Sequence, residues 1–141
     1  MTGLYVVLAA TVLAVAFGVY RRRTDGRPRA ASDESVRLDA DQLGVGLGTD
    51  ATFVQFSSSV CAPCRVTHRV LSAISAGDAR VVHVDVDAES RLDLVEQYGI
   101  TRTPTVLLLD RAGVVRHRIV GAARAPDVLE ALEGVAGRTA A

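Results

Sequence analysis

Eighteen consecutive residues near the N-terminus, 3-GLYVVLAATVLAVAFGVY-20, carry no charge. As a helix rising about 1.5 Å per residue they approach the ~30 Å hydrocarbon core of a bilayer. A segment this apolar on every face belongs either in the interior of a globular fold or in a membrane. Its place directly before Arg21, Arg22 and Arg23 favours a single membrane span, with Tyr5 and Tyr20 near the two headgroup regions. A cleaved secretory signal has the reverse order, with basic residues before the apolar run and a small-x-small site after it. Here 21-RRRTDGRPR-29 places five arginines and one aspartate behind the span. By the positive-inside tendency, the sequence predicts a single-pass protein of the cell membrane, held through residues 3–20, with a cytoplasmic C-terminal domain and its arginines against anionic headgroups.

The chain therefore divides into a transmembrane anchor over 1–20, a basic polar linker over 21–35 and a globular domain over 36–141. The linker assignment rests on 24-TDGRPRAASDES-35, which is small, polar and proline-containing. About 100 residues remain, enough to bury a core without help. The net charge is zero. Setting aside the five arginines and one aspartate of 21–31 leaves eleven arginines against fifteen acidic residues, so the domain is mildly acidic and has no nucleic-acid footprint.

Within the domain, 36-VRL-38 reads as a short first strand and 39-DADQLGVGL-47 as a glycine-weakened helix opened by Asp39. The nearly continuous hydrophobicity of 52-TFVQF-56 fits a strand covered on both faces. Residues 61–75 have helical spacing, with Val66, Val70, Leu71 and Ile74 on one broad side. A strand follows at 81-VVHVDVD-87, then a helix at 88-AESRLDLVEQY-98 stopped by Gly99. The strands 105-TVLLL-109 and 114-VVRHRIV-120 are joined by the hairpin loop 110-DRAG-113. Pro126 and Asp127 open a final helix running to about Ala136. Alternation followed by a hairpin predicts an α/β domain with a mixed central sheet and helices on both faces.

The only two cysteines stand in 61-CAPC-64, between the second expected strand and the helix after it. A sulfur at a helix N-terminus meets unpaired backbone N–H groups and the positive end of the macrodipole, which favours its thiolate. Cys61 has that place. Cys64, one turn deeper, is within disulfide reach, and Pro63 lies in the first turn, where its missing N–H costs nothing. Structural zinc prefers four ligands, commonly as two pairs, and there is no second C-x-x-C. His68 shares the helix with Cys64, while His83 and His117 fall in strands. No metal site is expected; a redox pair is favoured, and a helix start that contains sulfur incidentally is the remaining alternative.

Taken with 98-YGITRTPT-105, 110-DRAGVV-115 and 120-VGA-122, the cysteine motif resembles the thioredoxin family in order and spacing, from about Val36 to Ala136. The resemblance implies a thioredoxin fold in which Cys61 is the exposed nucleophile and Cys64 the resolving thiol. It also implies that Thr103–Pro104 is a cis peptide beside the disulfide, with the Thr103 backbone pairing with an extended substrate segment. From the residues alone, Pro104 fits a trans proline at a strand start equally well.

Five positions depart from the family pattern. Gln55 stands where thioredoxins carry a buried aspartate that helps move a proton at the second cysteine, and an amide cannot titrate. Ser57 and Val60 stand where the family has tryptophans. Ala62 replaces the glycine of the common C-G-P-C, a position that tunes redox behaviour alongside Pro63. His83 falls where a lysine often neighbours the carboxylate, and reads more readily as a strand histidine satisfying its own hydrogen bonds than as a titrating group.

The resemblance implies a thiol–disulfide oxidoreductase that reduces disulfide-containing protein substrates, and residues 3–20 would tether it to the membrane. It implies no cofactor beyond the Cys61–Cys64 pair and an external electron donor such as a thioredoxin reductase. Two alternatives stand beside it: an extracytoplasmic thioredoxin-like protein similar to those of cytochrome c maturation, and a thioredoxin-like binding module without turnover.

Overall fold

The computed structural model describes residues 2–31 and 36–139. Helix α1 spans Thr2–Thr24 without a break and buries none of its residues. At 23 residues it is about 35 Å long, sufficient to cross a membrane. Arg21, Arg22 and Arg23 lie in its last turn, where cations complement the helix dipole. The helical pattern thus continues into the segment expected to be a linker.

The rest of that segment departs further from the expectation. Pro28–Ala30 form strand β1, paired antiparallel with the strand at Val115–Val120. Proline opens the strand and lies on a sheet edge, the position a residue without an N–H tolerates. Gly26, at φ +79°, turns the chain from α1 into β1, and its amide donates to the Val120 carbonyl at 2.8 Å. Ser32–Ser35, also part of the expected linker, lie outside the described residues. The strand expected at 36–38 is reduced to a single bridge from Arg37 to Val114. Its neighbours bond to the hairpin instead: the Val115 amide donates to Val36, and the Leu38 amide to Gly113.

Helix α2 is confined to Ala40–Leu43 because Gly44 adopts the left-handed conformation and donates back to Ala40. The remaining elements are β2 (Ala51–Ser57), α3 (Ala62–Gly77), β3 (Val81–Asp87), α4 (Leu92–Gln97), β4 (Thr105–Asp110), β5 (Val115–Val120) and α5 (Ala125–Thr139). Helix α4 starts later than expected because Asp87 holds the preceding turn, its side chain and carbonyl accepting from the amides of residues 89–91. Helix α5 runs three residues beyond the expected Ala136.

The five-stranded sheet has the order β1-β5-β4-β2-β3, with β2 and β3 parallel and the other pairs antiparallel. This is the mixed sheet the sequence predicts. Alternation along β2 sends Ala51 and Phe53 to one core, under α3 and α5, and Val54 and Phe56 to the other, with Leu38, Leu94 and Tyr98. Gln55 has the parity of Phe53 and faces α3. In the parallel register Phe53 stands opposite His83 and Gln55 opposite Asp85, so these polar residues of β3 share that face.

Helix α3 meets the sheet through Cys64, Thr67 and Leu71. Of the broad side the sequence gives to Val66, Val70, Leu71 and Ile74, Leu71 is buried and Ile74 packs against the core. Val66 is instead 48% exposed, because the helix is turned to bring Cys64 inward. Thr67, fully buried, accepts a hydrogen bond from the Ala123 amide and ties α3 to the loop before α5.

Candidate active site

Strand β2 ends at Ser57, and a short turn delivers Cys61 to the start of α3. The Cys61 amide donates to the Ser58 carbonyl, closing the turn, and Cys61 then serves as the N-cap of the helix. Its sulfur accepts the Cys64 amide at 3.2 Å. One of the unpaired donors of the helix start is therefore aimed at this sulfur, where it stabilises negative charge. Cys61 and Cys64 are joined in a disulfide, with Cα atoms 5.2 Å apart. Cys64 is 3% exposed, whereas Cys61 is only partly covered. Ala62 and Pro63 form the exposed first turn between them.

The Thr103–Pro104 peptide is cis. Pro104 is buried, its carbonyl accepts the Gly121 amide at 2.8 Å, and Thr105 Oγ1 donates to the Arg102 carbonyl. Thr103 and Pro104 share a groove of about 680 Å³ with Pro63, Val66, Arg102 and Arg124. The Thr103 hydroxyl lies 3.4 Å from that of Ser58. Thus the fold sets Thr103 and Pro104 beside Pro63 and Ser58, which bracket Cys61 in the sequence. Arg102 also pairs with Asp25 at 2.6 Å, and Arg124 donates to the Arg22 carbonyl, so the end of α1 stands at the same groove.

Gln55 lies directly behind the second cysteine. Fully buried, it donates from Nε2 to the Cys64 carbonyl at 3.0 Å, and its Oε1 is 3.3 Å from His83 Nε2. Burial, reinforced by the neighbouring His68, lowers the His83 pKa to about 4 despite Asp85, so the ring is neutral near pH 7. His83 is thus hydrogen-bonded and uncharged, in agreement with the structural reading of the sequence.

A second cavity, of about 310 Å³, borders the disulfide. It is lined by Cys61, Cys64, Ser57, His68, Arg69 and Asp85 among others. Among the described residues, no group of three histidines, cysteines or acidic residues is arranged to hold a metal ion.

The model of the thioredoxin-like domain family matches residues 45–136. The chain belongs to that family. A thioredoxin of Echinococcus granulosus is 28% identical over 87 residues, which cover 61% of this chain and 80% of that one. A chloroplastic thioredoxin of Oryza sativa subsp. japonica is 35% identical over 69 residues, 48% of this chain and 39% of that protein. The crystal structure of a thioredoxin from Nicotiana alata superimposes with a TM-score of 0.55 at 28% identity, covering 62% of this chain and 74% of that one. A thioredoxin-like domain carrying a bonded C-x-x-C pair supports thiol–disulfide redox activity for the chain.

Sequence reasoning passed over three participants. Val66 was grouped with Val70, Leu71 and Ile74 on one broad side of the helix and given no part in the site, but stands in the groove. Asp85 was read only as part of a strand; its position beside the cysteines follows from the pairing of β2 with β3. Ser72 carried no signal at all, although its offset of eight residues from Cys64 put it on the same helix face.

Proposed function

We propose that the chain is a protein-disulfide reductase mounted on a membrane by α1. Cys61 attacks a substrate disulfide as the thiolate, forming a mixed disulfide and releasing one substrate thiol. Cys64 then attacks the Cys61 sulfur, releasing the second thiol and closing the disulfide. Two electrons pass from the dithiol to the substrate, and an external dithiol or flavoprotein donor restores them. The cis Thr103–Pro104 peptide and the groove beside it receive an extended segment of the substrate, with Val66 as an apolar contact.

The observation that carries this reading is the asymmetry of the pair: one sulfur capped by a helix-start amide and partly accessible, the other buried beneath it. The test uses the full-length protein in detergent with reduced and oxidised insulin. Cys64→Ser is expected to accumulate mixed disulfides through Cys61, and Cys61→Ser to accumulate few. Equal trapping by both variants would overturn the assigned roles. Absence of insulin reduction by the wild type would remove the reductase reading.

A further inference from the structure

The family's buried carboxylate is replaced by Gln55, yet the resolving thiol must still lose a proton before it attacks. The hydrogen bonds on the α3 face run in one connected chain from Gln55 to His68. The Cys64 carbonyl only accepts, so the Gln55 group facing it is the amide NH₂. Gln55 Oε1 then accepts from His83 Nε2–H at 3.3 Å. With Nε2 protonated in the neutral ring, His83 Nδ1 is the acceptor, and it takes the Ser72 hydroxyl proton at 3.1 Å. Ser72 has given its one proton, so its oxygen accepts from His68 Nδ1–H at 3.4 Å.

Every direction in this chain is set by the one before it, and the last consequence concerns His68. With Nδ1 as the donor, Nε2 is the nitrogen that accepts a proton when the ring is neutral. That nitrogen faces the Asp85 carboxylate at 3.9 Å, and Asp85 is itself anchored by the Ser57 hydroxyl at 2.5 Å. His68, Asp85 and Ser57 line the same cavity as Cys61 and Cys64. His68 also lies one helical turn beyond Cys64, on the same face of α3. The two imidazoles meet edge to face with centroids 5.0 Å apart, and the inner one is held neutral.

We propose that His68, oriented by Ser72 and facing Asp85, accepts the proton of the Cys64 thiol during resolution of the mixed disulfide and returns it to the departing substrate sulfur. The proposal rests on Cys64 being the resolving thiol. In the step, the Cys64 S–H bond breaks and its proton passes to His68 Nε2, directly or through one water in the cavity. The Cys64 thiolate forms the bond to Cys61, the Cys61–substrate S–S bond breaks, and the substrate leaves as a thiolate that takes the proton from the imidazolium. No net proton remains on His68. The titratable and charged groups facing His68 are Asp85 and the neutral His83 on β3, with Arg65 and Arg69 on its own helix. Asp85 compensates the imidazolium, and the exposed arginines oppose it only through solvent.

The test separates the two chemical steps. Full-length protein, pre-reduced and freed of reductant, is mixed with a symmetric aromatic disulfide whose thiolate absorbs light. The first equivalent released reports attack by Cys61, and the second reports resolution by Cys64. From pH 5 to 9, His68→Gln is expected to leave the first release within about twofold of wild type. It should slow the second by ~10-fold or more near pH 7 and remove its inflection on the acid side. Imidazole added to His68→Ala is expected to restore the second release, which a merely structural histidine would not permit. His83→Gln should keep the inflection. An unchanged pH profile for the second release in His68→Gln overturns the proposal. Loss of the first release in wild type would instead remove the reductase reading beneath it.

Discussion

Gln55 donates from its side-chain amide to the backbone carbonyl of Cys64, so the residue that replaces the family's carboxylate grips the second cysteine through its main chain. Gln55→Asp would shorten that side chain and release the carbonyl. Stability should fall by about 1–3 kcal/mol, the cost of leaving a buried polar group unpaired. The same change supplies a titratable group behind Cys64, and the second thiolate release should accelerate by on the order of tenfold or less. In the His68→Gln background the acceleration should be larger, because the two groups serve the same proton. Denaturant melts and stopped-flow traces of the four proteins check both effects.

His83 makes stability depend on pH in a defined window. Its folded value of about 4 lies below the unfolded 6.5, so the unfolded chain binds the proton more readily. Stability is therefore constant above pH 6.5, falls as the pH drops from 6.5 to 4, and loses nothing more from this group below that. Allowing for partial exposure, the loss should be on the order of 2 kcal/mol. His83→Gln should flatten this part of the curve, measured by urea unfolding at half-unit pH steps.

Asp110 governs a second, lower window. Its burial would raise its pKa, but the Arg116 guanidinium at 2.8 Å and the Val114 and Ala112 amides at 3.0 and 2.9 Å outweigh burial and leave it below the usual carboxylate value. A lowered folded value means stabilisation that is complete above the unfolded pKa and is lost as the pH falls through the folded one. Asp110→Ala should cost about 2–3 kcal/mol at pH 7, since two amides of the tight hairpin lose their acceptor. The difference from wild type should shrink below pH 4, where the His83 contribution is already spent.

A membrane topology with the domain in the cytoplasm makes a cellular prediction. A reporter active only in the cytoplasm, fused after Ala141, should be active, and one that requires export should be silent. The reverse pattern would place the domain on the extracytoplasmic side.

The cysteine pair, its strand and its helix were legible because each leaves a local signature: a sulfur spacing, a β-rich run, a proline in the first turn. The Thr103–Pro104 bond was legible only through resemblance, since the same dipeptide opens ordinary strands. The cluster of Gln55, Ser72, His83 and Asp85 was not legible as a unit. It depends on the register of β2 against β3 and on the rotation of α3, and neither is encoded within a single window of sequence. Val66 was given no part in the site for the second of these reasons. Strand β1 escaped because its three residues include a proline and an arginine, and only the unoccupied edge of β5 makes a strand of them.

That edge has a practical consequence for dividing the chain. With β1 in place, the polar backbone of β5 between His117 and Ile119 is matched on both sides. A fragment beginning at Val36, where the globular pattern of the sequence starts, would strip away β1 together with the Gly26 and Ala31 amide bonds to Val120 and Arg116. The bared strand would then be a template for a second copy, and such edges promote association and aggregation. A fragment beginning at Thr24 discards the apolar helix just as completely and keeps the edge covered. Where the cut falls, more than the loss of α1, decides whether the soluble piece remains monomeric.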